Sequence, residues 1–221
     1  PPGRGLGSSG ASAAGAVAGA ARLLGLNTPV EVLVESAGRG EAAAAGAPHY
    51  DNVAASLLGG FVVLARGMDG LRVVRIDADA WFAVVTPMDP VPENKTMIMR
   101  SVLPRQVSLE EAVSNWSRLA MLVAALSEGR LDLVGEMMMG DGIVEPRRSK
   151  YIPCYSEMRR EALRAGALGY TISGAGPSVI ALTDTQSSAR TVLDAMLSSC
   201  KWNTEPLGRI SKVAPGALAH A

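Results

Sequence analysis

Aromatic side chains make up only 4% of the 221 residues, and there are two cysteines and two histidines. A core built on rings is therefore excluded. Hydrophobic residues still reach 48%, so the interior must be assembled from Ala, Val, Leu, Ile and Met. Basic and acidic residues balance at 21 each, and no run of Lys or Arg reaches the length of a nucleic-acid patch. The densest basic clusters are Arg147-Arg148-Ser149-Lys150 and Arg159-Arg160. No nucleic-acid partner is expected, and any anionic ligand must be held locally. Cys154 and Cys200 allow one disulfide at most and show no metal-ligand spacing. The longest uncharged stretch, between Arg4 and Arg22, is rich in Gly, Ala and Ser rather than Leu, Ile and Phe, so a membrane span is a poor reading and no membrane partner is expected. A cytoplasmic location is the default expectation. The chain lacks an initiator Met and opens on Pro1-Pro2, inside a motif, so it reads as a fragment.

What is there alternates between helical and strand-like segments. Ser8 to Gly25 is Ala-rich and free of Pro, a helix that starts right after a Gly-rich turn. Asn27-Thr28-Pro29 reads as a stop followed by a new N-cap, with Pro at the first helical position. Val30 to Ala37 is expected as a second helix, Glu41 to Gly46 as a separate short one, and Asp51 to Leu58 as a further helical turn. Phe61–Ala65, Leu71–Ile76 and Trp81–Thr86 read as strands. The Pro-rich connection from Pro87 to Glu93 marks the expected boundary between a first domain, 1–87, and a second, 88–221. Ser108 followed by Glu111 has the spacing of a capping box, opening a helix that runs to about Glu128 before Gly129. Helices are expected over Leu131–Met139, Ser156–Ala165 and Ser187–Ser199. Gly169–Ser173 and Val179–Thr183 form a strand pair around a Gly-Pro turn, and a last strand is expected near Thr204–Leu207. Strands and helices mix without strict βαβ alternation, which favours an α+β fold. The run Met137-Met138-Met139 has no Cys or His companions and reads as packing rather than soft-metal binding.

Four groups of residues point to chemistry. The first is Pro1-Pro2-Gly3-Arg4-Gly5-Leu6-Gly7-Ser8-Ser9-Gly10-Ala11-Ser12. Glycines allow positive-φ turns and close backbone approach, and they lead here into a helix N-terminus, where free N–H groups and the positive end of the helix dipole attract anions. No Lys follows, so this is not a Walker A loop. Alone, such a string is as often a linker or an unliganded cap. The second is Ser173-Gly174-Ala175-Gly176-Pro177-Ser178, which alone is better read as a hairpin turn. The third is Gly40-Glu41 with Pro48-His49-Tyr50-Asp51-Asn52-Val53-Ala54, an acid in an Ala-rich segment followed by clustered polar groups. The fourth comprises Thr96 to Arg100 with Leu103-Pro104, and Val144-Glu145-Pro146-Arg147-Arg148-Ser149-Lys150. A guanidinium matches a carboxylate in a two-bond fork, although an arbitrary Arg is usually a surface residue.

Together these strings resemble the GHMP kinases, the galacto-, homoserine, mevalonate and phosphomevalonate kinases. Pro-x-x-x-Gly-Leu-Gly-Ser-Ser resembles the family's second, phosphate-binding motif, and the Ser173–Ser178 loop its third. The segments around Glu41, His49–Val53, Thr96–Pro104 and Glu145–Lys150 resemble the homoserine kinase branch. The resemblance implies two α+β domains, the first like domain 2 of ribosomal protein S5 and truncated here, the second ferredoxin-like. It implies ATP and Mg²⁺, with the ATP phosphates on Pro1, Gly3, Arg4, Gly5, Leu6, Gly7, Ser8, Ser9, Gly10, Ala11 and Ser12. Ser9 and Glu41 would bind Mg²⁺. His49, Asn52, Thr96, Arg100, Arg148 and Gly174 would contact L-homoserine, with Arg100 and Arg148 at its carboxylate and Asn52 at its hydroxyl. Arg147 is adjacent to Arg148 and open to confusion with it. Asp51 falls where the mevalonate kinase branch places an aspartate proposed as general base. Asn52, Asp51 and Arg148 are thus the catalytic candidates, and a homodimer is implied. The implied product is O-phospho-L-homoserine, in threonine biosynthesis. The rivals are a mevalonate- or shikimate-type kinase and a non-catalytic ligand-binding homologue. The family's first motif is absent, so the natural protein is expected to be longer at its N-terminus.

Overall fold

The computed structural model describes residues 1–90, 92 and 95–219, without the side chains of residues 44, 45 and 96. Part of the expected 87–93 connection therefore lies outside the described residues. The chain forms two compact units. One holds Gly7–Ala78 and Val213–Ala221, with Pro2; the other holds Asp79–Lys212, with Pro1 and Gly3–Leu6.

In the first unit, α1 (Ser8–Leu23), α2 (Val30–Ala45) and α3 (Tyr50–Leu58) pack with a hairpin of β1 (Phe61–Gly67) and β2 (Gly70–Ile76). The buried positions of α1 are Gly10, Ala14, Ala18 and Ala21, one stripe at helical spacing. Small residues on that stripe let α1 lie close to Leu33, Val34 and Ala37 of α2 and to Val53, Ala54 and Leu57 of α3. The segment read as two short helices is one, α2, starting at Val30 with Pro29 rather than Thr28 as its N-cap. Gly38 does not break it. A Cβ there would stand 2.4 Å from Cε1 of Tyr50, so the glycine is required by packing. An interior glycine costs a helix only about 1 kcal/mol relative to alanine. The hairpin is antiparallel from Phe61↔Ile76 to Gly67↔Gly70.

The second unit is built on β3 (Trp81–Thr86), β4 (Gly169–Ile172), β5 (Val179–Thr183) and β6 (Leu207–Lys212). They form one sheet in the order β4-β5-β3-β6, antiparallel throughout. Strand β3 thus lies at the sheet's centre, and this pairing places it with the second unit. Between β3 and β4 run α4 (Lys95–Ser101), α5 (Leu109–Ser127), α6 (Leu131–Met138), α7 (Glu145–Arg148), a 3₁₀ turn (Ser149–Tyr151) and α8 (Tyr155–Arg164); α9 (Gln186–Ser198) joins β5 to β6. This is a βαββαβ order with the ferredoxin-like strand arrangement. Ala83, Val85, Tyr170, Val179 and Ala181 of the sheet are covered by Met158 and Ala162 of α8 and by Val192, Leu193 and Met196 of α9. A disulfide joins Cys154, the N-cap of α8, to Cys200 after α9. The capping box at Ser108 and Glu111 is present in both directions.

The last strand lies at Leu207–Lys212, not Thr204–Leu207. It is fixed by pairing with β3, and Pro206 just before it has no N–H for a ladder. Helices α4 and α7, unforeseen in the sequence, carry Arg100 and Arg148. Among the described residues no helix is long and apolar enough to cross a membrane.

Candidate active site

The Gly-rich opening takes left-handed backbone conformations at Gly3, Gly5 and Gly7, with φ of 72°, 82° and 70°. Gly7 is the N-cap of α1, and its carbonyl accepts from Ala11 N–H at 2.9 Å. The first-turn N–H groups have no acceptor within the helix, and no acidic residue stands in that turn. Positive potential at this terminus is thus left for an anion. Asn52, in the first turn of α3, lies against it: a Cβ on Gly10 would come 2.9 Å from Asn52 Cβ, and one on Gly7 3.1 Å from Asn52 Oδ1.

Glu41 lies in the last turns of α2 and is 2% exposed. Its Oε1 accepts from Ser9 Oγ at 2.7 Å and lies 3.2 Å from His49 Nδ1, while Oε2 accepts from His49 N–H at 2.8 Å. The solitary acid of the Ala-rich segment is therefore the buried hub that brings Ser9 and His49 together. Asp51 is exposed, and its Oδ1 accepts from the Asn52 N–H at 2.8 Å. Among the described residues no cluster of three or more His, Cys, Asp or Glu forms a metal cage. The Ser9 hydroxyl and Glu41 carboxylate are nevertheless hard oxygen donors at hydrogen-bond distance from each other. They fit an ion such as Mg²⁺, which takes one or two protein oxygens and completes its shell with phosphates and water.

In the second unit, Arg4 is buried and its guanidinium donates to the carbonyls of Pro87 and Asp89, both at 2.8 Å, and of Met88 at 3.4 Å. Its side chain is committed to protein carbonyls. The Gly-rich loop between β4 and β5 meets the Gly3–Leu6 limb: Ser173 Oγ donates to Gly5 O at 2.8 Å, and Ser178 N–H to Arg4 O at 3.2 Å. Arg148 donates from Nε to Met99 O at 3.0 Å and from Nη1 to Gly174 O at 3.2 Å, which ties α7 to α4 and to that loop. Burial pulls its pKa down, nearby Asp141 opposes this, and the like charge of Arg100 adds to the lowering. Arg147 instead folds back onto the carbonyls of Gly142 at 3.1 Å and Ile143 at 2.6 Å. Arg100 is exposed on α4, and the Thr96 side chain lies outside the described residues.

Two residues passed over in the sequence support this arrangement. Asp141 accepts from the N–H groups of Ile143, Val144 and Glu145 and from Asn115 Nδ2, fixing the start of α7. The acid four residues ahead of Glu145-Pro146 was the available signal. Lys95 is buried and donates to Gly176 O; nothing in its local sequence marks it.

Comparison with known proteins places this geometry in a family. The model described as "GHMP kinases N terminal domain" matches residues 1–60, and that described as "GHMP kinases C terminal" matches residues 122–201. A homoserine kinase of Aeropyrum pernix is 56% identical over 98% of this chain and 70% of its own length. One from Pyrobaculum islandicum is 50% identical over 100% of this chain and 73% of its own. The crystal structure of homoserine kinase from Cytophaga hutchinsonii superposes with a TM-score of 0.85 at 38% identity, covering 97% of this chain and 67% of that one. With these matches, the chain belongs to the homoserine kinases of the GHMP kinase family.

Proposed function

We infer that this chain catalyses ATP-dependent phosphorylation of the side-chain hydroxyl of L-homoserine, giving O-phospho-L-homoserine on the route to threonine. The observation that carries the reading is the 56% identity to a homoserine kinase across 98% of the chain. In the transfer the homoserine hydroxyl oxygen forms the new bond to the γ-phosphorus, the bond from that phosphorus to the β–γ bridging oxygen breaks, and ADP leaves.

The residue roles are part of the proposal. The Gly5–Ser12 loop takes the ATP phosphates, on the backbone N–H groups ahead of Ala11 that α1 leaves without an intrahelical acceptor, supported by the positive-φ glycines and the helix N-terminus behind them. Pro1, Gly3 and Arg4 shape the entry to that loop, Arg4 through the carbonyls it holds rather than through phosphate. Ser9 and Glu41 would hold Mg²⁺, which when bound offsets phosphate charge. Arg100 and Arg148 are assigned to the substrate carboxylate, His49, Thr96 and Gly174 to the rest of the amino acid, and Asn52 to alignment of the hydroxyl. Asp51 is assigned as acceptor of the hydroxyl proton. A loose phosphoryl-transfer transition state depends mainly on alignment and charge neutralisation, so this last role separates cleanly by mutation. A true general base would make Asp51→Asn cost about 10²–10⁴ in turnover. The assembly proposed is a cytoplasmic homodimer, which sedimentation of the purified protein tests.

Release of ADP by the full-length protein, measured with L-homoserine, mevalonate and shikimate in parallel, tests the assignment. Turnover with homoserine is expected. Turnover with mevalonate or shikimate in its place would overturn it.

A further inference from the structure

Lys95 opens α4 and is 6% exposed. Its ammonium donates to Gly176 O, and among the described residues no carboxylate forms an ion pair with it. Burial lowers its pKa, and the like charges of Arg148 and Arg4 lower it further. An ammonium buried among cations is costly, and an apolar side chain would fill the same space. Its partner among the described residues, Gly176 O, therefore indicates what it does.

That partner lies in the Ser173–Ser178 loop, which is closed on itself by Ser173 N–H to Ser178 O at 2.9 Å and Gly176 N–H to Ser173 O at 2.9 Å. One side of the loop carries the Gly3–Leu6 limb. Ser173 Oγ holds Gly5 O, Ser178 N–H holds Arg4 O, and the backbones touch so closely that a Cβ on Gly5 would sit 2.3 Å from Ser173 O. Elsewhere on the loop, Gly174 O holds Arg148 and Gly176 O holds Lys95. Four attachments thus converge on one short loop, two of them to the Gly3–Leu6 limb and two to cations.

We propose that Lys95 is a positioning residue for the phosphoryl transfer, its hydrogen bond to Gly176 O holding the Ser173–Ser178 loop so that the loop fixes both the Gly3–Leu6 limb and Arg148. This rests on the homoserine kinase reading. Lys95 touches neither substrate; it acts through the loop.

A double-mutant cycle tests it. Lys95→Met removes the donor to Gly176, and Ser173→Ala removes the loop's side-chain hold on Gly5. Each should raise KM for ATP and lower kcat, together reducing kcat/KM by about 10–100-fold, since a small misplacement of a reacting group costs up to that much. Because both act on the same loop, the double variant should fall within about threefold of the worse single variant. Lys95→Arg, which retains a donor, should recover most of the loss. Assays are run below the melting temperature of every variant, and if Lys95→Met does not fold, Lys95→Leu, which also lacks a donor, takes its place in the cycle. Fold-changes that multiply in the double variant, or an unchanged KM for ATP in the single one, would overturn the proposal. A wild type that turns over no homoserine sinks the functional reading and Lys95's role with it. An active wild type with multiplying effects overturns the role of Lys95 alone.

Discussion

Replacing Asp141 with alanine should destabilise the second unit and weaken homoserine binding together. The carboxylate accepts from Ile143 N–H at 2.8 Å, Val144 N–H at 3.0 Å, Glu145 N–H at 2.9 Å and Asn115 Nδ2 at 2.9 Å. Asn115 Oδ1 in turn accepts from Gly142 N–H at 3.1 Å, so one removal opens a closed network. Helix α7 is four residues long and has no other side-chain cap. Charge-assisted hydrogen bonds contribute about 1.5–3 kcal/mol each and sum less than additively, so the net loss should be about 3 kcal/mol. For a chain of this size that corresponds to a fall in Tm of about 6–12 °C. Arg148 rides on α7, so KM for homoserine should rise more than KM for ATP. The pH dependence has a definite sign. Burial pushes the Asp141 carboxyl upward, but the bonds from Val144, Ile143, Asn115 and Glu145 outweigh it, and its pKa lies below the usual carboxylate value. Its contribution is therefore complete above the unfolded carboxyl pKa of about 3.9 and disappears as pH falls through the lower folded value. Urea melts of wild type and Asp141→Ala should differ by a constant amount from pH 5 to 7, and by progressively less below pH 4. A variant within about 0.5 kcal/mol of wild type at pH 7 would refute this account of α7, since that is the range of an inconsequential surface change.

Gly5→Ala would place a methyl 2.3 Å from Ser173 O on a residue with φ of +82°; the left-handed backbone alone costs about 1–2 kcal/mol. A loss of at least that much in urea melts and a raised KM for ATP are expected, and an unaltered protein would contradict the close approach of the two loops. Breaking the disulfide by Cys154→Ser with Cys200→Ser releases a cross-link spanning a sequence separation of 46. Chain-entropy reasoning gives a loss of about 4 kcal/mol, with kcat unchanged at temperatures where the variant is folded. Equal stability of the oxidised wild type and the variant would remove that cross-link from the account.

Much of the fold was legible because its signals are local. The capping box at Ser108, the Ala-rich stripe of α1 and the apolar strand β3 each carry their own pattern, and each forms as read. What failed was decided by tertiary contact. Val30–Ala37 and Glu41–Gly46 read as separate helices because the sequence does not show that the Tyr50 ring comes to rest on Gly38. Strand β6 is an edge strand with Arg209, Ser211 and Lys212 in it, and only pairing with β3 identifies it. Among the site candidates, the motifs marked which stretches matter but not what each side chain touches. Arg4 stood in the phosphate string, yet its guanidinium is spent on carbonyls contributed by residues far along the chain. Arg147 and Arg148 are indistinguishable as neighbours in sequence, and their different partners separate them only once α7 is folded. Lys95 was invisible because the acceptor it meets, Gly176 O, lies in a loop remote in sequence.

The central claim is that the amides around Gly7 and the Ser9–Glu41 pair together bind a metal-complexed triphosphate. Calorimetric titration of ATP into the full-length protein, with and without Mg²⁺, in wild type and Glu41→Gln, tests it most directly. Wild type should bind ATP, more tightly with Mg²⁺ than without it, and Glu41→Gln should keep weak nucleotide binding while losing the gain from the metal. No measurable affinity for ATP or ADP in wild type, or a Mg²⁺ effect undiminished in Glu41→Gln, would contradict the account.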